Sequence, residues 1–222
     1  MPSKNPLFRF LFLVLFLATG ILLARHFYAQ TVLEKIIQRL QADSRAAEVL
    51  VTGVNYDEAG HRNLTTIKFL EYDTQGRALE PKYFTFPGNI IQFQSLVVRF
   101  DDKFVMAGDR LRGSSAYLFW KVFMLDGKDT KEFPINDVQQ VPQGYKLSEK
   151  RNGIEEEFWG NFWRYALDRV TGQRAGIKNA QIEAPGTMFI PGYLYTIKIE
   201  HDGGLRIDTA ALPAILRGEK IP

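Results

Sequence analysis

The chain of 222 residues is long enough to bury one substantial core, and it contains no cysteine, which excludes disulfides, thiolate zinc sites, iron–sulfur clusters and thiol catalysis. Its formal charge of +3 resides in residues 1–29, where Lys4, Arg9 and Arg25 meet no acid, so the remainder balances 25 basic against 25 acidic side chains. No Lys/Arg cluster forms a surface that could neutralise several phosphates, which argues against nucleic acid as a partner despite a pI near 9.0.

Phe10 to Ala24 reads FLFLVLFLATGILLA, without a charge. Such a run does not stay in water uncovered; it enters a bilayer or is removed after targeting. Its rise of about 22 Å is short of roughly 30 Å of hydrocarbon. Extending the span to Leu7–Tyr28 closes the gap, because Arg9 and Arg25 can snorkel while Phe27 and Tyr28 suit the interfacial aromatic belt. The competing reading is a signal peptide cut after Ala18-Thr19-Gly20. Cleavage there would leave Ile21, Leu22 and Leu23 at a new terminus, so an uncleaved anchor is the expectation. Lys4 and Arg9 before the span nearly tie with Arg25, Lys35 and Arg39 after it. The short basic tail favours a cytoplasmic N-terminus and an extracytoplasmic C-terminal domain, periplasmic in a Gram-negative cell.

From Gln30 the pattern becomes an amphipathic helix, with Leu33, Ile36, Ile37 and Leu40 on one face. It reads as a stalk over 30–48, or equally as a helix lying on its own domain. The organisation expected is therefore an anchor at 1–29, a stalk at 30–48 and a β-rich domain at 49–222.

Strands are expected at Val49–Tyr56, Leu64–Tyr72, Lys82–Phe86, Ile90–Phe100, Phe104–Ala107 and Tyr117–Leu125, joined by short turns as in an antiparallel meander or barrel-like sheet. Residues 126–150 read as a polar connection with a short strand at Tyr145–Leu147. A helix follows over 154–171, capped by Asn152, acidic at Glu155–Glu157 and stopped by Gly172. Its buried stripe would be Trp159, Phe162, Trp163, Ala166 and Val170. Tyr193, Tyr195, Ile197 and Ile199 alternate with polar residues in a half-buried strand, and His201-Asp202-Gly203-Gly204 turns into Leu205–Asp208. The fold class is thus α+β: a single transmembrane helix and helical stalk, then a mainly antiparallel domain with one amphipathic aromatic helix.

Candidate chemistry is sparse. Asp101, Asp102 and Asp109 are acids without the spacing of a Ca²⁺ loop, and the bland reading is a solvated turn. His201 beside Asp202 resembles a base with an orienting carboxylate, but Asp and Gly at a hairpin tip have backbone reasons to be there. Gly113-Ser114-Ser115 lacks the nucleophile elbow, though Arg110 and Arg112 beside it could grip an anion such as a lipid phosphate. Three scattered histidines make a transition-metal site improbable, and no cofactor is implied. Trp159 and Trp163 either pack on the sheet or offer a partner or the membrane an aromatic face. Thr187-Met188-Phe189-Ile190, bracketed by Pro185-Gly186 and Pro191-Gly192, is the least generic partner contact.

The binding surface expected is Trp159, Trp163, Met188, Phe189, Arg110 and Arg112. The function expected is a non-catalytic, membrane-anchored extracytoplasmic interaction or assembly module. It would hold the bilayer through Leu7–Tyr28 and meet a membrane or extracytoplasmic protein. The alternative is a membrane-tethered domain that binds a lipid or small ligand between helix and sheet.

Overall fold

The computed structural model describes residues 6–40, 45–73, 76–100, 115–126, 129–142, 145–146, 153–174, 177–199 and 204–213. Its elements are α1 (Pro6–Leu40), β1 (Arg45–Asp57), β2 (Arg62–Glu71), β3 (Lys82–Phe86), β4 (Ile90–Phe100), β5 (Ser115–Asp126), β6 (Asp129–Pro134), α2 (Gly153–Leu167), α3 (Arg169–Arg174), β7 (Ile177–Glu183), β8 (Gly186–Met188), β9 (Tyr193–Ile199) and β10 (Leu205–Ala211).

α1 runs unbroken for 35 residues. Proline suits its first turn, where the missing N–H is not needed. Thr19 Oγ1 donates to Leu15 O at 2.8 Å and Thr31 Oγ1 to Phe27 O at 3.1 Å, so neither hydroxyl needs water. Phe10–Tyr28, 19 residues, is long and apolar enough to cross a membrane, and among the described residues nothing buries it. Four residues further on the same helix enters the domain: Val32 is 4% exposed, among Leu118 of β5 and Trp159 and Trp163 of α2. At Val32 the helix therefore docks on its own domain rather than standing free as a stalk. The side chains of Leu33, Ile36, Ile37 and Leu40 lie outside the described residues.

The strands form two sheets, antiparallel throughout. One has the order β10-β9-β1-β2-β3; the other has β6-β5-β4-β7, with β8 also paired to β4. Their inner faces make the main core, because alternate residues point inward. On β2 the buried positions are Thr65, Ile67, Phe69 and Glu71. Phe69 stacks on Phe93 at 5.3 Å and meets Phe119 edge-on at 5.2 Å. Side chains close both open flanks of the sandwich. On one flank, Phe133 of β6 packs between Phe84 and Phe86 of β3, and the Lys82 ammonium donates to Ile135 O. On the other, Glu183 Oε2 of β7 accepts the Leu205 N–H of β10 at 3.0 Å.

A second core lies on the outer face of the β4–β5 sheet, where Leu96, Val98 and Leu118 sit under Trp159, Phe162, Trp163 and Ala166 of α2. Opposite Ser95 stands Phe119, but opposite Gln94 stands Lys121, so β5 carries one extra residue there. This bulge turns Trp120 towards α2, and its ring meets Trp163 at 6.0 Å.

Several expectations need correction. β6 falls in the segment read as polar connection, β7 falls in a stretch after the helix for which no element was expected, and Tyr145–Lys146 is not strand. The single helix over 154–171 is two helices. Asp168 breaks it, because its Oδ1 accepts the Val170 N–H at 3.1 Å and its Oδ2 accepts the Thr171 hydroxyl. The new start rotates the stripe, and Val170 is 61% exposed instead of buried, while Gly172 lies inside α3. Asp168→Ala is expected to remove an N-cap and so to lower the thermal midpoint of the full chain in detergent slightly. The expected strand at Phe104–Ala107, the Asn152 cap and the turn at His201–Gly203 lie outside the described residues.

Candidate interaction surface

The β8 segment is built for close approach. A Cβ on Gly186 would lie 2.5 Å from Gln92 Cγ and 3.0 Å from Ile91 O, so only glycine lets β8 pair with β4 here. At the far end, Gly192 has φ +87°, which its missing side chain permits. Between these breaks the register sets Met188 opposite Ile90 and Thr187 opposite Ile91. Pro185 O accepts Phe93 N–H at 3.0 Å, and Phe189 N–H donates to Asn89 O at 2.8 Å. By strand alternation, the backbone groups of Met188 and Ile190 then point away from β4.

A partner strand would seek those groups, and Tyr195 of β9 already holds them. Its hydroxyl accepts Ile190 N–H at 2.9 Å and donates to Met188 O at 3.1 Å. Its ring lies 4.4 Å from Phe189, which is fully buried and meets Phe93 edge-on at 5.8 Å. Phe189 is thus a peg and Tyr195 a clamp, and the edge is blocked to strand addition. What this edge presents outward is therefore side chains rather than backbone. Met188 is 55% exposed and Ile90 57% exposed. Leu125 of β5, 62% exposed, extends the row, since Gln92 pairs with Phe123 and the next outward pair brings Leu125 beside Ile90. The result is an uncovered apolar row across three strands on a rigid support.

Of the residues expected to form a binding surface, Met188 is exposed as read. Trp159 and Trp163 are fully buried against the sheet and Phe189 lies between the sheets, so these three serve packing instead. The indole rings fill the space between α2 and the sheet, with Tyr145 stacked on Trp159 at 5.7 Å. Arg110 and Arg112 lie outside the described residues, as do Asp101, Asp102, Asp109, Ser114, His201 and Asp202. His26 meets Phe27 edge-on at 6.1 Å, and His61 occupies the β1–β2 turn with φ 48°. Among the described residues no group of three or more His, Asp or Glu could hold a metal ion.

Sequence reasoning missed one ionisable group. Glu71 ends β2 on its inner face, and burial pushes its carboxyl up to about 7, the nearby Lys82 ammonium opposing this only in part. The Tyr145 hydroxyl donates to Tyr117 O at 3.0 Å, and burial raises both phenols, with the charge of Glu71 adding to the rise. The signal was present in the alternation Thr65, Ile67, Phe69, Glu71, which carries a carboxylate inward.

No family model, curated protein or solved structure matches the chain.

Proposed function

We propose that the protein is a single-pass, membrane-anchored interaction module, non-catalytic, whose β-rich domain works on the extracytoplasmic side. The observation that carries this reading is one continuous helix. Its apolar part, Phe10–Tyr28, is not buried by the described residues, and its next turn is packed into the domain at Val32. Anchoring confines the domain to a thin layer and raises the effective concentration of any membrane partner, so a modest contact suffices. The row of Leu125, Ile90 and Met188 supplies such a contact, apolar and held stiffly by Phe189 and Tyr195. The ligand-pocket alternative lacks comparable support, since Trp159, Phe162 and Trp163 fill the space it would need.

The reading is tested by alkaline extraction of membranes, followed by mild detergent and identification of co-purifying proteins from a C-terminally tagged chain. The protein is expected to resist alkali and to bring one partner in stoichiometric amount. Release by alkali, or purification alone, contradicts it. A charge pair in the span, Leu13→Arg with Leu17→Arg, is expected to shift the chain to the soluble fraction. Each arginine at mid-bilayer costs roughly 2.5–3.5 kcal/mol on insertion scales.

A further inference from the structure

The end of the apolar span and the start of the domain leave almost no chain between them. Tyr28 closes the 19-residue segment, and Val32 is already in the second core. Four helical residues rise about 6 Å, no more than the thickness of one headgroup layer, roughly 5–8 Å. A second contact gives the same height. Arg25, at the end of the span, has its Nη2 4.0 Å from Oε2 of Glu157 on α2. Both side chains are well exposed, so the pair contributes little stability, but it marks where α2 stands. Arginine at the end of a span extends to the phosphates, which puts Glu157 at the same level. Gly153, Glu157 and Arg164 share the exposed face of α2, turned away from the buried Trp159 and Trp163.

We infer that the domain lies flush on the phospholipid headgroup layer, with the exposed face of α2 around Glu157 in contact with it. This rests on the membrane-anchor reading. The partner is the headgroup layer, because α1 continues from the bilayer into the domain without a spacer. Arg25 faces phosphate, while Glu156 and Glu157, both exposed, suit the ammonium of a zwitterionic headgroup. The consequence is that the domain cannot sweep through the space above the membrane; it presents one fixed side to a partner in the same bilayer.

The chain has no cysteine, so single-cysteine labels are clean. Glu157→Cys and Phe16→Cys, each labelled with an environment-insensitive fluorophore, are reconstituted as full-length protein into phosphatidylethanolamine–phosphatidylcholine vesicles. The vesicles carry nitroxide either on the headgroup or near the bilayer centre. The label at 157 is expected to lose most of its fluorescence to the headgroup nitroxide and little to the deep one, and the label at 16 the reverse. A label at 157 untouched by either nitroxide, with 16 quenched by the deep one, overturns the flush arrangement and leaves the anchor standing. A label at 16 untouched by both removes the anchor reading and this inference with it.

Discussion

Trp163→Ala is expected to destabilise the domain by about 3–5 kcal/mol, the cost of removing a buried tryptophan whose neighbours cannot collapse into the space. Trp163 is fully buried, edge-on to Trp120 at 6.0 Å, and shares a core with Leu96, Val98, Leu118 and Val32. For a chain of this size each kcal/mol moves the midpoint by roughly 2–4 °C, so a fall of about 10–15 °C should be read in thermal unfolding of the detergent-solubilised full chain. Total stabilities near 5–15 kcal/mol make this a severe loss. Trp163→Phe is expected to cost far less. The indole Nε1 has no hydrogen-bond partner among the described residues, so phenylalanine deletes a buried, unsatisfied donor while it keeps most of the apolar contact. If the alanine variant melted within a degree of the wild type, α2 would not be packed on the sheet as described.

The second large effect is a pH dependence set by Glu71. Burial raises its folded-state pKa from 4.5 to about 7, with Lys82 opposing the rise. In the unfolded chain the group ionises near 4.5. Between these values the folded state holds a proton that the unfolded state has released, so stability falls as pH rises from about 4.5 to about 7 and levels off above. The loss across this window is about 3 kcal/mol, because each tenfold change in proton affinity is worth about 1.4 kcal/mol. Glu71→Gln mimics the protonated acid and should flatten this window, leaving the variant more stable than wild type at pH 8 and close to it at pH 4.5. Denaturant unfolding across that range checks the expectation. An unchanged slope in the glutamine variant would assign the dependence to another group.

Much of the architecture is legible in the residues. Lys82–Phe86 and Ile90–Phe100 are strands over the ranges their apolar runs and turn residues indicate, and the alternation in Tyr193–Ile199 marks a half-buried strand. β6 and β7 are not legible, and for one reason. Each is the last strand of its sheet on its side, and DTKEFP and IKNAQIE are polar enough to read as loop. Only the ladder to a neighbour makes them strands. The helix break is a local event that periodicity overlooks, since a carboxylate at Asp168 can restart a helix without a glycine or proline. In the candidate surface, the Pro-Gly pairs around Thr187–Ile190 single out the segment. Composition does not tell which of Met188 and Phe189 faces out. That is decided by Tyr195, Phe93 and Asn89, which meet the segment only in the folded chain.

An anchored domain that meets a membrane partner through the row at Met188 should be caught in the act by photocrosslinking in intact membranes, from a benzophenone on Met188→Cys in the otherwise cysteine-free full-length chain. One discrete protein adduct is expected from position 188. A label at Ile90→Cys should give the same adduct, one at the exposed Tyr56 should not, and Leu125→Asp should abolish it. Adducts equally strong from Tyr56, or no protein adduct from 188 and 90 in membranes that retain the protein, would contradict this mode of contact.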